Sequence, residues 1–184
     1  MRIQDLESAS DENLVASFVR SGDRDALEVL LRRHESSVFG LAYRMLGGSR
    51  ADALDATQEV FLTVFRKASS FHHQSAFKTW LYRLTVNTCH DFGRKRARTP
   101  SPMADGPEPP ERPADVETRL SVEAALQQLL PGQRAVVVMR DLYGMSYGEI
   151  AASTGVPVGT VKSRIARARM RLAELLTVPE EREP

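Results

Sequence analysis

The sequence predicts an all-α fold of two small helical domains, an N-terminal helical bundle and a C-terminal helix-turn-helix, joined by a flexible Pro-rich linker. Apolar residues recur every three or four positions along most of the chain, the period of a helix with one buried face. Sustained alternation of period two, which a half-buried strand requires, is absent. Six of the ten prolines fall between Thr99 and Asp115, where proline blocks helix continuation and too little apolar surface exists to build a core.

Residues 1–10 read as an N-terminal tail. Residues 11–98 are the first domain, with helical patterns at Leu14 to Arg20, Asp25 to Leu46, Ala51 to Ala68 and Ala76 to Lys95, separated by Gly22, Gly47-Gly48 and Ser69-Ser70. The linker, 99–115, carries a net charge of −3 over 17 residues and spans ~50 Å if extended. The second domain, 116–178, has helical patterns at Val116 to Leu130, Gly132 to Leu142, Tyr147 to Ser153 and Pro157 to Leu176, punctuated by Pro131, Gly144, Gly155 and Pro157. Residues 179–184 read as a second tail. Val136-Val137-Val138 has strand propensity, but no partner strand lies nearby, so a buried helical face is expected.

Twenty-five Lys and Arg against 24 Asp and Glu leave a net charge of +1, so only local charge can identify a polyanionic partner. The single cysteine, Cys89, excludes an intrachain disulfide and a zinc site built on paired cysteines, and fits a reducing compartment. The first ten residues lack the apolar core of a signal peptide, and no apolar run approaches the ~20 residues of a membrane span. A soluble cytoplasmic protein is expected.

The segment MSYGEIAASTGVPVGTVKSRIARARMRLAEL has the punctuation of a helix-turn-helix: a short helix, a turn at Gly155, and a longer helix opened by Pro157. Val158, Val161, Ile165, Ala168 and Leu172 form its packing stripe. Ser163, Ala166 and Arg167 lie opposite, with Lys162, Arg164 and Arg169 on the flanks. From Pro157 to Ala173 there are five basic residues and no acidic one, a local charge of +5 that favours a polyanion. Arg167 can present its donor fork to guanine; Lys162, Arg164 and Thr160 suit phosphates.

In the first domain, the helix from Ala76 builds a core side from Phe77, Leu81, Leu84, Thr88 and Phe92. It carries a separate polar stripe, Arg83, Asn87, His90 and Arg94, and ends in RKRAR. Exposed aromatics such as Tyr82 suit stacking on unpaired bases; Trp80 fits either a base contact or a partly buried core position. The preceding helix turns Ala53, Thr57, Val60, Phe61 and Val64 inward and Asp55, Gln58, Glu59 and Leu62 outward. Its carboxylates repel phosphate, so this face suits a basic protein partner.

Taken together, these segments resemble a bacterial sigma factor of the extracytoplasmic-function (ECF) group, within the sigma-70 family. DALDATQEVFLTVF is similar to that family's core-polymerase-binding helix, FKTWLYRLTVNTCHDFGRKR to its promoter-melting and minus-ten-reading helix, and MSYGEIAASTGVPVGTVKSRIARAR to its minus-thirty-five helix-turn-helix. The resemblance implies that Asp52, Asp55, Gln58, Glu59 and Leu62 engage core RNA polymerase. It implies that Asn87 and the loop with Phe71, His72, His73 and Ser75 hold an extruded minus-ten base, with Trp80, Tyr82, Arg83, His90 and Arg94 along the melted strand. Thr160, Lys162, Ser163, Arg164, Ala166 and Arg167 would line the minus-thirty-five groove. His72-His73 departs from the short, often charged and glycine-containing stretch common in the family. A cognate anti-sigma factor is also implied, with no cofactor and no catalytic residue, since the polymerase performs the chemistry.

Gly144-Met145-Ser146-Tyr147-Gly148 fits G-x-S-x-G, the nucleophile elbow of α/β-hydrolases, but that fold needs a histidine downstream and none follows Ser146. His72-His73 has no ligand cluster around it to make a metal site. A helix-turn-helix regulator acting without polymerase shares the C-terminal chemistry, yet leaves the second basic-aromatic helix beside an acidic helix unexplained.

Overall fold

The computed structural model describes residues 3–71, 75–98 and 122–176. The chain divides into two compact units, Met1–Pro100 and Ser101–Pro184, and the described residues of both contain helices and turns but no strand. The expected linker, the start of the helix expected from Val116 and the C-terminal tail lie outside the described residues.

The first unit contains α1 (Ile3–Ser8), α2 (Asp11–Ser21), α3 (Arg24–Met45), α4 (Arg50–Lys67), a 3-10 turn (Ala68–Ser70) and α5 (Phe77–Arg98). Side-chain caps set the starts. Ser10, Asp23 and Ser49 accept hydrogen bonds from the backbone N–H groups of Asn13, Ala26 and Asp52 at 3.3, 3.1 and 3.2 Å, opening α2, α3 and α4. The bond from Ala26 holds the Asp23 carboxyl below its ordinary value. Helix α2 stops at Gly22, whose φ of 69° is left-handed and whose N–H donates to the Phe18 carbonyl at 2.8 Å.

Helix α1 corrects the reading of residues 1–10 as a tail, because it sends Leu6 into the core. Six residues make fewer than two turns, so no periodicity announces it. Leu6 joins Leu14, Leu30, Val38, Val60, Val64, Phe77 and Leu81, while Ala42, Ala53, Ala56 and Cys89 form a second cluster of small side chains.

The inner face of α4 is as expected at Ala53, Thr57, Val60 and Val64, with Phe61 only half-buried. The inner face of α5 is broader than its expected stripe. Phe77, Leu81, Tyr82, Thr85, Val86 and Cys89 are buried, whereas Leu84, Thr88 and Phe92 are half-buried. Helix α5 packs against both α3 and α4, which buries two sides of it. Thr85 enters this core because its hydroxyl donates to the Leu81 carbonyl at 2.9 Å.

The second unit contains α6 (122–127), α7 (Pro131–Val137), a π-helical turn (Val138–Leu142), α8 (Tyr147–Thr154) and α9 (Val158–Leu176). Helix α6 ends short of the expected Leu130 because the residue before Pro131 is driven out of the helical region; Leu130 has ψ 141°. Val136-Val137-Val138 is a buried helical run. Helix α7, which contains most of this run, packs on α9, as does α8, and Ile150, Val161, Ile165 and Ala168 are buried.

Candidate nucleic-acid interface

The turn between α8 and α9 is built from local chemistry. Ser146 opens α8 with a capping box: its hydroxyl accepts from the Glu149 N–H at 3.2 Å, and the Glu149 carboxylate accepts from the Ser146 N–H at 2.8 Å. The serine of the G-x-S-x-G match is therefore a helix cap. Gly155 closes α8 with φ 70° and donates its N–H to the Ala151 carbonyl at 2.9 Å. Helix α9 then presents Lys162, Ser163, Ala166 and Arg167 to solvent above buried Val161, Ile165 and Ala168. Val158 departs from the expected packing stripe: at the first helical position it is 41 % exposed.

The cations of α9 are not equivalent. Arg169 donates to both carboxylate oxygens of Asp141 at 3.0 and 2.6 Å, which raises its pKa further, and Arg171 donates to Glu174 at 2.9 Å. Arg164 is half-buried, and a β-carbon on Gly132 would lie 3.3 Å from its guanidinium. Neither Lys162 nor Arg167 forms an ion pair among the described residues. Lys162 Nζ lies 5.7 Å from the centre of the Tyr147 ring, with the Arg140 guanidinium 4.8 Å from the same ring. Sequence reasoning missed Arg140, which sits in the π-helical turn where no periodicity marks a face. Thr160 is half-buried and its carbonyl accepts from the Ser163 hydroxyl at 3.0 Å.

On α5, Asn87, His90 and Arg94 are exposed, Arg83 and Ser75 half-buried. Tyr82 is a correction: it is 2 % exposed and cannot stack on a base without leaving the core. Phe71 is a second, 7 % exposed, with its ring edge-on to Phe77 at 5.6 Å and 5.7 Å from Trp80, which is half-buried. His72 and His73 lie outside the described residues. Although His90 reaches solvent, the protein around it, more than the neighbouring Arg94, pushes its imidazole below its ordinary value, with Asp91 opposing. Arg94 pairs with Asp91.

On α4, Asp55, Gln58, Glu59 and Leu62 are exposed and Asp52 is half-buried. Leu54, Leu62 and Phe65 are 46 %, 49 % and 51 % exposed, so this acidic face also holds three large apolar side chains in water. Sequence reasoning missed Leu54 and Phe65, although 54, 58, 62 and 65 follow helical spacing and share one face. A groove of about 680 Å³ joins this face to the α5 stripe, with Glu59 on one wall and Asn87 and Arg94 on the other.

Known proteins match both units of the chain. Residues 30–99 match the family model described as Sigma-70 region 2, and residues 119–172 match that described as Sigma-70, region 4. The chain is 44% identical over 168 residues to the ECF RNA polymerase sigma factor SigM of Mycobacterium tuberculosis, covering 91% of this chain and 85% of the relative. It is 36% identical over 182 residues to the ECF RNA polymerase sigma-E factor of Escherichia coli, covering 89% and 92%. Among solved structures, CnrH in complex with the cytosolic domain of CnrY is similar with a TM-score of 0.66 at 30% identity, covering 91% and 97%. The sigma factor RpoE in complex with the anti-sigma factor NepR, from Bartonella quintana, matches with a TM-score of 0.66 at 28% identity, covering 81% and 95%.

Proposed function

The chain belongs to the sigma-70 family, in its extracytoplasmic-function group of RNA polymerase sigma factors, and from that premise we propose how its three faces share the work of initiation. As a member it binds core RNA polymerase, directs it to promoters and assists DNA melting. The acidic and apolar face of α4, with Asp55, Gln58, Glu59, Leu62 and the neighbouring Leu54 and Phe65, docks on the polymerase. Its carboxylates exclude DNA, and each large apolar side chain fully buried there contributes ~1.5–3 kcal/mol.

With the chain so placed, α9 enters the major groove of the upstream element. Arg167 reads a base edge with Ser163 and Ala166 beside it, while Lys162 and Arg140 hold phosphates. The α5 stripe, Asn87, His90 and Arg94 with the edge of Trp80, then takes unpaired bases of the minus-ten strand. Tyr82 and Phe71 support that surface from within. Nucleotide addition remains with the polymerase, and this chain contributes binding surfaces. It works in the cytoplasm beside the polymerase, and an anti-sigma factor of the kind bound to its structural neighbours controls it. No helix among the described residues is long and apolar enough to cross a membrane.

The observation that carries this division of labour is α9 itself, whose exposed face from Val158 to Ala173 offers Lys162 and Arg167 without a carboxylate. Gel filtration with purified core polymerase and transcription from a matched promoter test it. Co-elution and initiation are expected. Separate elution with tight operator binding would instead make the chain a polymerase-independent regulator.

A further inference from the structure

Among the described residues, helix α5 begins without a side-chain cap of its own. The Ala76 carbonyl accepts the first helical bonds, from Thr79 and Trp80 at 3.0 and 3.3 Å, but alanine has no side-chain oxygen. No carboxylate occurs in the first turn. The leading N–H groups therefore need a partner from elsewhere. It comes from α2, 65 residues upstream: Glu12 Oε1 accepts from the Phe77 N–H at 3.2 Å.

The first turn of α2 is itself anchored. Asp11, next to Glu12, accepts from Arg33 at 2.5 Å and pairs with the buried His34 of α3 at 2.6 Å. The His34 ring lies 5.7 Å from that of Phe77, which in turn lies 5.6 Å from Trp80. One turn of α2 thus grips α3 and the start of α5 together. A carboxylate within α5's own first turn would serve as a cap, but it would add negative charge to the helix assigned to a phosphate-bearing strand. Glu12 supplies the same cap from a neighbouring helix.

We infer that Glu12 is a positioning residue for promoter opening. It caps α5 from α2 and so holds the first turn, Trp80 included, in the orientation in which the helix meets unpaired DNA. The inference rests on the proposed role of α5. Loss of such a cap shifts the population of an intact first turn roughly fivefold.

The test uses the full chain with core polymerase and a fork template, duplex upstream and unpaired through the minus-ten strand. In Glu12→Ala, retention of the fork falls roughly fivefold, while core affinity and binding to the upstream duplex are unchanged. Trp80, the only tryptophan, becomes more accessible to iodide quenching. Adding Ala76→Ser to Glu12→Ala restores a cap from within α5 and recovers both retention and quenching. Fork retention by Glu12→Ala equal to the unaltered chain overturns the inference, as does failure of Ala76→Ser to restore it, including where Glu12→Ala alone does not fold. If the unaltered holoenzyme itself does not retain the fork, the role of α5 falls and this inference with it.

Discussion

Replacing Arg167 by alanine should weaken binding of the polymerase-bound chain to its upstream promoter element by ~1–3 kcal/mol, roughly 5- to 150-fold. The structure sets both the size and the cleanness of this effect. Arg167 is exposed opposite the buried Val161, Ile165 and Ala168, and forms no ion pair among the described residues. Alanine there breaks no ion pair and opens no cavity, so folding stability should stay within ~0.5 kcal/mol. Arg169 and Arg171 already spend their donors on Asp141 and Glu174, so alanine at those positions should disturb DNA less. A side chain on a base edge and one on a phosphate also differ in salt response, because giving up a single phosphate makes the log–log slope shallower by about 0.9. Fluorescence anisotropy of holoenzyme on matched and mismatched upstream duplexes, between about 50 and about 200 mM salt, separates the two. Arg167→Ala should lose affinity on the matched duplex alone with the slope unchanged, whereas Lys162→Ala should lose on both with a shallower slope. Unaltered affinity of Arg167→Ala for both duplexes refutes the assignment of this face.

Reversing Asp55 and Glu59 to Lys should reduce affinity for core polymerase at least about tenfold with circular dichroism unchanged, since both side chains are exposed; unaltered co-elution contradicts the α4 assignment. Ser146→Ala removes the hydroxyl on which the α8 capping box depends, and should lower the melting midpoint of the second unit by a few degrees, ~1 kcal/mol; calorimetry on the full chain reads this. Burial pushes the Cys89 thiol from 9.0 up to about 12. A raised acid pKa in the folded state means stability is complete below the unfolded value and is lost as pH rises from 9.0 toward about 12. Native Cys89 should therefore resist iodoacetamide at pH ~8, with labelling that tracks unfolding; rapid labelling of the native chain rules out the buried thiol.

What the sequence makes legible is whatever a single helix decides alone. The exposed and buried sides of α4 and α9 follow from spacing within one segment, and the Gly155 turn from residue type. Helix α5 was harder because it serves two neighbours: packing against both α3 and α4 draws Tyr82, Thr85 and Val86 inward, which a one-stripe pattern cannot express. Long-range polar pairs were invisible for a related reason. Arg169 with Asp141 spans 28 residues, His34 with Asp11 spans 23, and Glu12 with the Phe77 N–H spans 65. Each needs the fold before its partners meet. The count of basic residues on α9 therefore overstated the charge it can offer a new partner.

The joint between α8 and α9 is governed by a torsion and not by a tight fit. A methyl group at Gly155 would meet nothing within 4 Å, so for alanine the obstacle is the φ of +70° alone. Asparagine and aspartate reach that angle at small cost, and β-branched side chains do not. The constraint at this joint is a dihedral angle, which sets the bearing of α9 relative to α8. On the proposed assignment, a strained joint would leave both helices intact with one of them misaimed, so that the chain would still dock on the enzyme and lose its bearing on the promoter.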